Sequence, residues 1–196
     1  MKLTSILPAT LLAVGITALP VEKRSSTGFS AIAARSGSPI HLLPINAAGS
    51  GLYVGGSPST YCPDMVDPCP PGNETVFANA FNLLYQYVEV PGGQALFVKS
   101  SGAVSYTSPH SISMPSGSQQ GPFDWVKGSP FGRYTTTSFG ADGFMACPDY
   151  STNTTAWQVF AAIKNATVPT GNVEDCLGFD ALTTPYSGSI PTWEYV

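Results

Sequence analysis

Glycine and proline punctuate this chain from end to end and restrict it to short segments of regular structure. The 196 residues include 20 glycines and 18 prolines. No stretch free of both combines good helix formers with the clean 3.6-residue apolar period of an amphipathic helix. Short apolar or alternating runs recur instead at a spacing of roughly 8–12 residues, which is typical of β-sandwiches and barrels. The sequence therefore predicts an all-β, single-domain antiparallel barrel or sandwich.

Three pairs of strand-like segments flank glycine-containing turns and predict β-hairpins. They are 41–46 with 52–54, 95–99 with 103–107, and 133–138 with 143–147. A recurring hairpin of this kind is compatible with a β-trefoil-like arrangement. Further strands are expected at 29–34 and 177–184, and the β-branched and aromatic run 157–163 predicts a central strand. Segment 73–90 is mixed, because part of it suggests a helical turn whereas its end alternates like a strand.

The first 24 residues carry the signals of export. Lys2 precedes an apolar run at 6–16 and a small-residue end at 17–18. This pattern is typical of a secretory signal peptide and is too short for a membrane span. The dibasic pair Lys23-Arg24 follows and suits a processing protease. We therefore expect a signal peptide at 1–18, a short propeptide at 19–24 and one secreted all-β domain at 25–196.

The expected mature part, 25–196, is sparsely charged and acidic. It keeps five basic and eleven acidic residues, so nucleic acid and anionic membrane surfaces are poor partners. No second apolar run reaches the roughly 18 residues of a membrane span. Segment 187–196 lacks the hydrophobic tail of a glycolipid anchor. We expect an extracellular protein whose surface is polar mainly through uncharged side chains.

Four cysteines in an exported chain favour two disulfide bonds. Cys62, Cys69, Cys147 and Cys176 allow three pairings. We favour Cys62–Cys69, which would close a proline-rich loop, and Cys147–Cys176, which would tie a late loop to the segment after it. The spacings fit no zinc pattern, so no metal site is predicted.

Three Asn-X-Ser/Thr triplets predict that the exported protein is glycosylated. The acceptors are Asn73, Asn153 and Asn165. A glycan can be carried only on the surface, so we expect all three side chains to be exposed.

No arrangement of catalytic residues stands out in the sequence. The two histidines, His41 and His110, each follow a Ser-Pro pair, and no nucleophile-elbow motif is present. Most of the carboxylates lie beside proline or glycine, where aspartate usually serves local turn bonding. We therefore predict no enzyme activity, no catalytic residue and no cofactor.

Aromatic side chains are the best candidates for contact with a ligand, because ring faces pack on the C–H groups of sugars. The expected ligand surface consists of Trp125, Phe131 and Tyr134, and Tyr53 and Trp193 are further candidates. At least half of such residues ordinarily belong to a core.

Several unusual strings occur together and in order along residues 29–184. They are AARSGSPIH at 33–41, YCP at 61–63, CPPGNET at 69–75, VPGGQ at 90–94, PHSISMP at 109–115, WQVF at 157–160 and DCLGF at 175–179. In these strings the chain resembles the phiA-type fungal cell wall proteins. The resemblance implies a small secreted protein of the fungal wall, linked to phialide and conidium formation, with some IgE-binding members. It transfers no catalytic residue.

The leading hypothesis is a secreted, non-enzymatic fungal cell wall glycoprotein that supports phialide and conidium development and wall organisation. Its partners would be wall polysaccharide or wall proteins. The alternative is an extracellular effector or elicitor that binds a carbohydrate, an antibiotic or another ligand at the interface with a host or competitor. A wall-acting hydrolase is a third hypothesis.

Overall fold

A computed structural model describes residues 28–151 and 156–196 of the chain. The predicted signal peptide, Lys23-Arg24 and Asn153 lie outside the described residues. The described part is nearly all β, as expected, with two single 3-10 turns at Ser138–Gly140 and Val173–Asp175. The strands are β1 (Gly28–Ala34), β2 (Ile45–Ala48), β3 (Gly51–Val54), β4 (Thr60–Tyr61), β5 (Phe77–Ala80), β6 (Leu83–Gln86), β7 (Gln94–Val98), β8 (Val104–Tyr106), β9 (Phe123–Val126), β10 (Gly132–Thr136), β11 (Phe144–Asp149), β12 (Ala156–Ala161), β13 (Leu177–Tyr186) and β14 (Glu194–Tyr195).

Twelve of these strands form one large antiparallel sheet whose hydrogen-bonded path closes on itself. The path runs β1-β5-β6-β7-β8-β3-β12-β11-β13, and β13 pairs in turn with β1. Three strands branch from this ring, because β2 pairs with β3, β10 pairs with β13, and β9 pairs with β10. The fold is thus a single domain with an irregular closed sheet rather than a clean barrel. The short strands β4 and β14 form a separate pair.

Two of the three predicted hairpins are confirmed and the third is wrong. The pairs β2–β3 and β7–β8 form as expected. Segments 133–138 and 143–147 do not pair, because β10 lies between β9 and β13 whereas β11 lies between β12 and β13. The 3-10 turn at Ser138–Gly140, with Phe139 at φ 56°, redirects the chain between the two strands.

Segment 73–90 contains no helical turn. Its two strands, β5 and β6, pair across a tight turn at Phe81 and Asn82, whose φ angles are 52° and 60°. Two consecutive left-handed residues are what a two-residue hairpin loop of matching twist requires. The apolar run that suggested a helix places Phe77 and Leu84 in the core from opposite strands.

The prediction of a central strand at 157–163 is confirmed by β12, which lies between β3 and β11. Val159, Phe160 and Ala161 are all buried. Phe160 faces a second, smaller apolar cluster, so the strand contributes to two cores. Burial on both faces explains the almost uninterrupted apolar sequence of this strand.

The interior of the ring is filled by apolar and aromatic side chains. Tyr134 belongs to this core, and the centroid of its ring lies 5.7 Å from that of Phe123 and 5.3 Å from that of Phe144. Phe144 continues the row to Phe179 at 6.1 Å. Stacked pairs of this kind add stabilisation beyond the apolar area that they bury.

The C-terminal strand β14 closes one side of the molecule. Tyr195 is 1% exposed, and its main chain is held by Gln94, which donates to the Tyr195 carbonyl at 2.9 Å and accepts from the Tyr195 N–H at 2.9 Å. The Tyr195 hydroxyl donates to the Glu74 carbonyl at 2.8 Å and accepts from the Val76 N–H at 3.2 Å. The tail is therefore an integral part of the domain. Within the described residues, no helix has the length and apolar character needed to cross a membrane.

Candidate functional site

The expected aromatic surface of Trp125, Phe131 and Tyr134 is not assembled by the fold. Tyr134 is only 5% exposed, because the alternation of β10 turns it into the ring together with Thr136. Trp125 stacks on Phe29 at 4.6 Å and donates its Nε1–H to the Thr183 hydroxyl at 2.9 Å. Phe131 is exposed at 48%. Of the three, Tyr134 is thus a core residue and Trp125 is partly buried.

Among the candidate aromatic residues, Tyr53 is partly exposed and lies beside a cleft. It is partly exposed on β3, whose neighbours Leu52 and Val54 are buried. A Cβ atom at Gly51 would lie 3.3 Å from Cε2 and 3.6 Å from Oη of Tyr53. The glycine thus leaves room for the tyrosine ring to lie along the strand. A ring in this position can offer a face to a ligand.

The cleft beside this ring, here called the Tyr53 cleft, has a volume of about 590 Å³. Gly55 and Gly56 form part of its wall in the left-handed region, with φ angles of 85° and 67°. Only glycine adopts this conformation without strain, so backbone rather than side chains borders the cleft here. The remaining lining residues are Ala48, Gly49, Val54, Ser57, Asp149, Ser151 and Ala156.

Two polar groups can give the Tyr53 cleft its specificity. Burial raises the pKa of the Tyr53 hydroxyl, and the negative charge of Asp149 raises this pKa further. The hydroxyl therefore remains a neutral donor and acceptor. Asp149 accepts one hydrogen bond from the Ser151 N–H at 2.9 Å and has further acceptor capacity. An aromatic ring, a carboxylate and a hydroxyl beside apolar walls suit a neutral sugar.

A second groove, of about 360 Å³, opens where β13 changes partners. Along one edge, β13 pairs with β11 through Phe179 and with β10 from Ala181 onward, so these neighbours diverge at Asp180. Arg133 forms a 2.6 Å ion pair with Asp180, and the partner groups are 64% and 55% exposed.

Arg35 also lines this groove, and its Nη1 donates to the Gly178 carbonyl at 2.7 Å. Asp142 lies at the same groove, so two cationic and two anionic side chains balance. The aromatic residues that line it, Tyr134, Phe144 and Phe179, are buried. The groove thus lacks both a net charge and an exposed ring, which makes it a weaker candidate than the Tyr53 cleft.

The two histidines lie on separate connections of the fold. His41 follows β1, and its Nδ1 accepts from the Arg35 N–H at 3.2 Å. His110 is exposed between β8 and β9 with φ 57°. Within residues 28–151 and 156–196, no group of three or more His, Cys, Asp or Glu side chains is placed to hold a metal ion.

The favoured disulfide pairing is present in the structure. Cys62 bonds to Cys69 and Cys147 to Cys176. The first bond closes an exposed loop, whereas Cys147 is fully buried beside Met145, Phe160 and Val168.

The two predicted glycan acceptors within the described residues are both exposed. Asn73 and Asn165 lie on the surface, in agreement with the sequence. Their surroundings differ, because Asn73 borders a groove of about 290 Å³ next to β1 and β2.

The sequence does not indicate which of the candidate aromatic residues border a cleft. Trp193, another candidate, is partly buried in the tail, where its carbonyl accepts from the Val90 N–H at 3.0 Å. Tyr53 differs in one readable respect, because Gly51 precedes it by two residues. Residues two apart share a face of a strand, so a Gly-X-Tyr pattern can indicate a ring lying over a bare backbone.

Comparison with known proteins assigns the chain to a family. A family model described as "PhiA-like secreted protein" matches residues 29–196, which include the whole C-terminal tail. An "Uncharacterized secreted protein" from Arthroderma benhamiae is 42% identical over 159 residues, covering 80% of this chain and 79% of the relative. No solved structure gives a significant match. The chain therefore belongs to the PhiA-like secreted protein family.

Proposed function

We propose that this protein is a non-enzymatic, secreted glycoprotein of the fungal cell wall that binds neutral wall polysaccharide through the Tyr53 cleft. In this role it organises the wall of cells that form phialides and conidia. The observation that carries the proposal is the Tyr53 ring, which borders a largely apolar cleft of about 590 Å³ together with the carboxylate of Asp149. The sparse charge of the chain also favours an uncharged partner.

Sugar recognition follows from the chemistry of this cleft. The axial C–H groups of a pyranose pack against an aromatic face, while its hydroxyls bond at the rim. Asp149 accepts from sugar hydroxyls, and the Tyr53 hydroxyl can both donate and accept.

Retention on insoluble polysaccharide tests the proposal. The glycosylated secreted protein is incubated with chitin and with β-glucan, and the bound fraction is measured for wild type, Tyr53→Ala and Tyr61→Ala. Tyr61 is a matched control, because it is a tyrosine that is 53% exposed on β4 outside the cleft. We expect Tyr53→Ala to weaken binding by roughly two- to tenfold, since stacking contributes about 0.5–1.5 kcal/mol. Equal binding by all three proteins would contradict the proposal.

Location and activity are checked separately. Extraction of conidiating hyphae should recover the protein from the wall fraction, and recovery only as a freely diffusing species would oppose a role in the wall. Incubation with chitin or glucan should release no soluble sugar. Release that is lost in Asp149→Asn would instead establish a hydrolase.

A further inference from the structure

We infer that folding makes the triplet of Asn73 inaccessible to a glycosyltransferase, so that Asn73 is modified before the domain folds. Asn165, in contrast, stays accessible to modification in the folded domain. This inference rests on the proposed glycosylation of the chain and is independent of polysaccharide binding. It arises from a contrast between two triplets that look equivalent in the sequence.

The threonine hydroxyl of the first triplet is buried and hydrogen-bonded inside the domain. Thr75 is 4% exposed, and its Oγ1 accepts from the N–H of Ala47 on β2 at 2.9 Å. A glycosyltransferase that recognises Asn-X-Thr must bind the threonine hydroxyl as well as the asparagine amide, in an accessible stretch of backbone. In the folded domain, Asn73 is exposed but Thr75 is withdrawn from any such enzyme.

The residues around the triplet make it costly to pull the triplet out of the folded domain. Val76 and Phe77 are 0% and 2% exposed, so drawing this segment into an enzyme groove would pull both side chains out of the core. The Tyr195 hydroxyl bonds the carbonyl of Glu74 and the N–H of Val76, one before and one after Thr75. Modification of the folded protein at Asn73 therefore requires substantial local unfolding.

The two hydrogen bonds of the Tyr195 hydroxyl, here called the Tyr195 clasp, can form only late in synthesis. Tyr195 follows Glu74 by 121 residues. At roughly 5–20 residues per second, the segment between them takes roughly 6–24 s to make. The triplet at 73–75 thus remains outside its final fold throughout this interval, which gives the transferase time to act.

The second triplet remains open in the folded domain. Asn165 and Thr167 are both exposed in the connection between β12 and the 3-10 turn at Val173–Asp175. The Thr167 N–H bonds the carbonyl of Ser101 at 2.9 Å, which anchors the backbone and leaves the side chain on the surface. Among the described residues, the second triplet thus has neither a threonine hydroxyl buried in the core nor a tyrosine that bonds the backbone on both sides of the threonine.

The reaction itself is an ordinary displacement. The Asn73 amide nitrogen attacks the anomeric carbon of a lipid diphosphate-linked oligosaccharide. A C–N bond forms as the C–O bond to the diphosphate breaks, the lipid diphosphate leaves with the electron pair, and a base of the transferase takes the amide proton. The exposed position of Asn73 beside a groove of about 290 Å³ leaves room for the attached sugar.

Glycan transfer to folded and unfolded acceptors tests the inference. The secreted chain carrying Asn153→Gln is produced without glycans in a bacterial periplasm, where both disulfides form. Its folded form, and a reduced, alkylated and unfolded form, are treated with a single-subunit oligosaccharyltransferase and a lipid-linked oligosaccharide. Mass spectrometry then gives the occupancy of Asn73 and Asn165 separately.

We expect folding to reduce the initial rate at Asn73 at least about tenfold and the rate at Asn165 less than about twofold. Tyr195→Phe, which keeps the buried ring and removes only the clasp, should raise the rate at folded Asn73 and leave Asn165 unchanged. Equal rates at Asn73 in the two forms, or an equal loss at both sites, would overturn the inference. Failure of both sites in the unfolded form would instead refute the proposed glycosylation.

Discussion

At the scale of single residues, two opposed glutamines show how differently buried polar groups behave in this protein. Gln94 on β7 and Gln86 on β6 are register partners, and both are buried. Gln94 bonds Thr107 and both main-chain groups of Tyr195. Within the described residues, the amide atoms of Gln86 have no hydrogen-bond partner. A satisfied buried amide stabilises a fold, whereas an unsatisfied one carries a desolvation cost.

Substitution of the two glutamines should therefore have opposite consequences. Gln94→Leu leaves the Tyr195 N–H and carbonyl without partners and should lower the free energy of unfolding by about 2–4 kcal/mol. Gln86→Leu removes two unbonded polar atoms and should be neutral or stabilising by about 1 kcal/mol. Urea denaturation measures both. A large loss for Gln86→Leu, or none for Gln94→Leu, would contradict this explanation of the tail.

Buried tyrosines should make the protein sensitive to alkali. Burial is the main cause that raises the pKa of Tyr106 to about 12, from 10.0, and it also raises the pKa values of Tyr134 and Tyr195. The unfolded state releases these protons near pH 10 and the native state does not. Stability is thus complete below pH 10 and falls as the pH rises to 12, by about 1.4 kcal/mol per pH unit for each tyrosine that stays protonated.

Urea denaturation between pH 8 and pH 11 should show this decline begin near pH 10. Tyr106→Phe should reduce the slope above pH 10 by the equivalent of one proton. A free energy of unfolding that is constant across this range, or an unchanged slope in the variant, would be inconsistent with a protonated Tyr106 in the native state.

At the scale of elements, the two disulfides constrain very different lengths of chain. Cys62 and Cys69 are 7 residues apart, whereas Cys147 and Cys176 are 29 apart. Loop entropy alone predicts losses of roughly 2.5 and 3.5 kcal/mol on removal. Cys147 additionally packs in the apolar cluster with Met145 and Phe160, so removal of its bond also disturbs a core.

Paired replacement by alanine should reveal this difference in urea denaturation. Cys147→Ala with Cys176→Ala should lower the free energy of unfolding by at least about 1 kcal/mol more than Cys62→Ala with Cys69→Ala. Equal losses in the two double variants would mean that neither loop length nor burial of Cys147 controls the contribution of these bonds.

Element by element, the sequence predicted what depends on local pattern. The short strands, the β2–β3 and β7–β8 hairpins and the disulfide pairing follow from alternation, glycine turns and cysteine spacing. The β9–β10–β13 arrangement did not follow, because a turn at 138–140 redirects a chain that looked like a hairpin. The strand β14 was not predicted for a related reason. Its Tyr195 bonds a segment 121 residues away, and no pattern in the sequence around Tyr195 indicates that contact.

At the scale of the whole molecule, the same limitation affected the ligand surface. An aromatic residue in a strand points inward or outward according to its place in the two-residue alternation of side chains. The sequence around Tyr134 supported either direction. The structure shows the direction of each side chain, since Tyr134 is buried in the core while Tyr53 borders an open cleft. The proposed polysaccharide binding therefore depends less on how many aromatic residues the chain has than on which of them the closed sheet leaves at the surface.

The most direct test of polysaccharide binding at the Tyr53 cleft is an NMR titration of the secreted protein with soluble β-glucan and chitin oligosaccharides. We predict that chemical-shift changes concentrate at 48–57 and at Asp149, and that they disappear in Tyr53→Ala but persist in Tyr61→Ala. Changes centred on Arg35 and Arg133 would move the binding site to the second groove. The absence of any change with either sugar series would contradict the central claim.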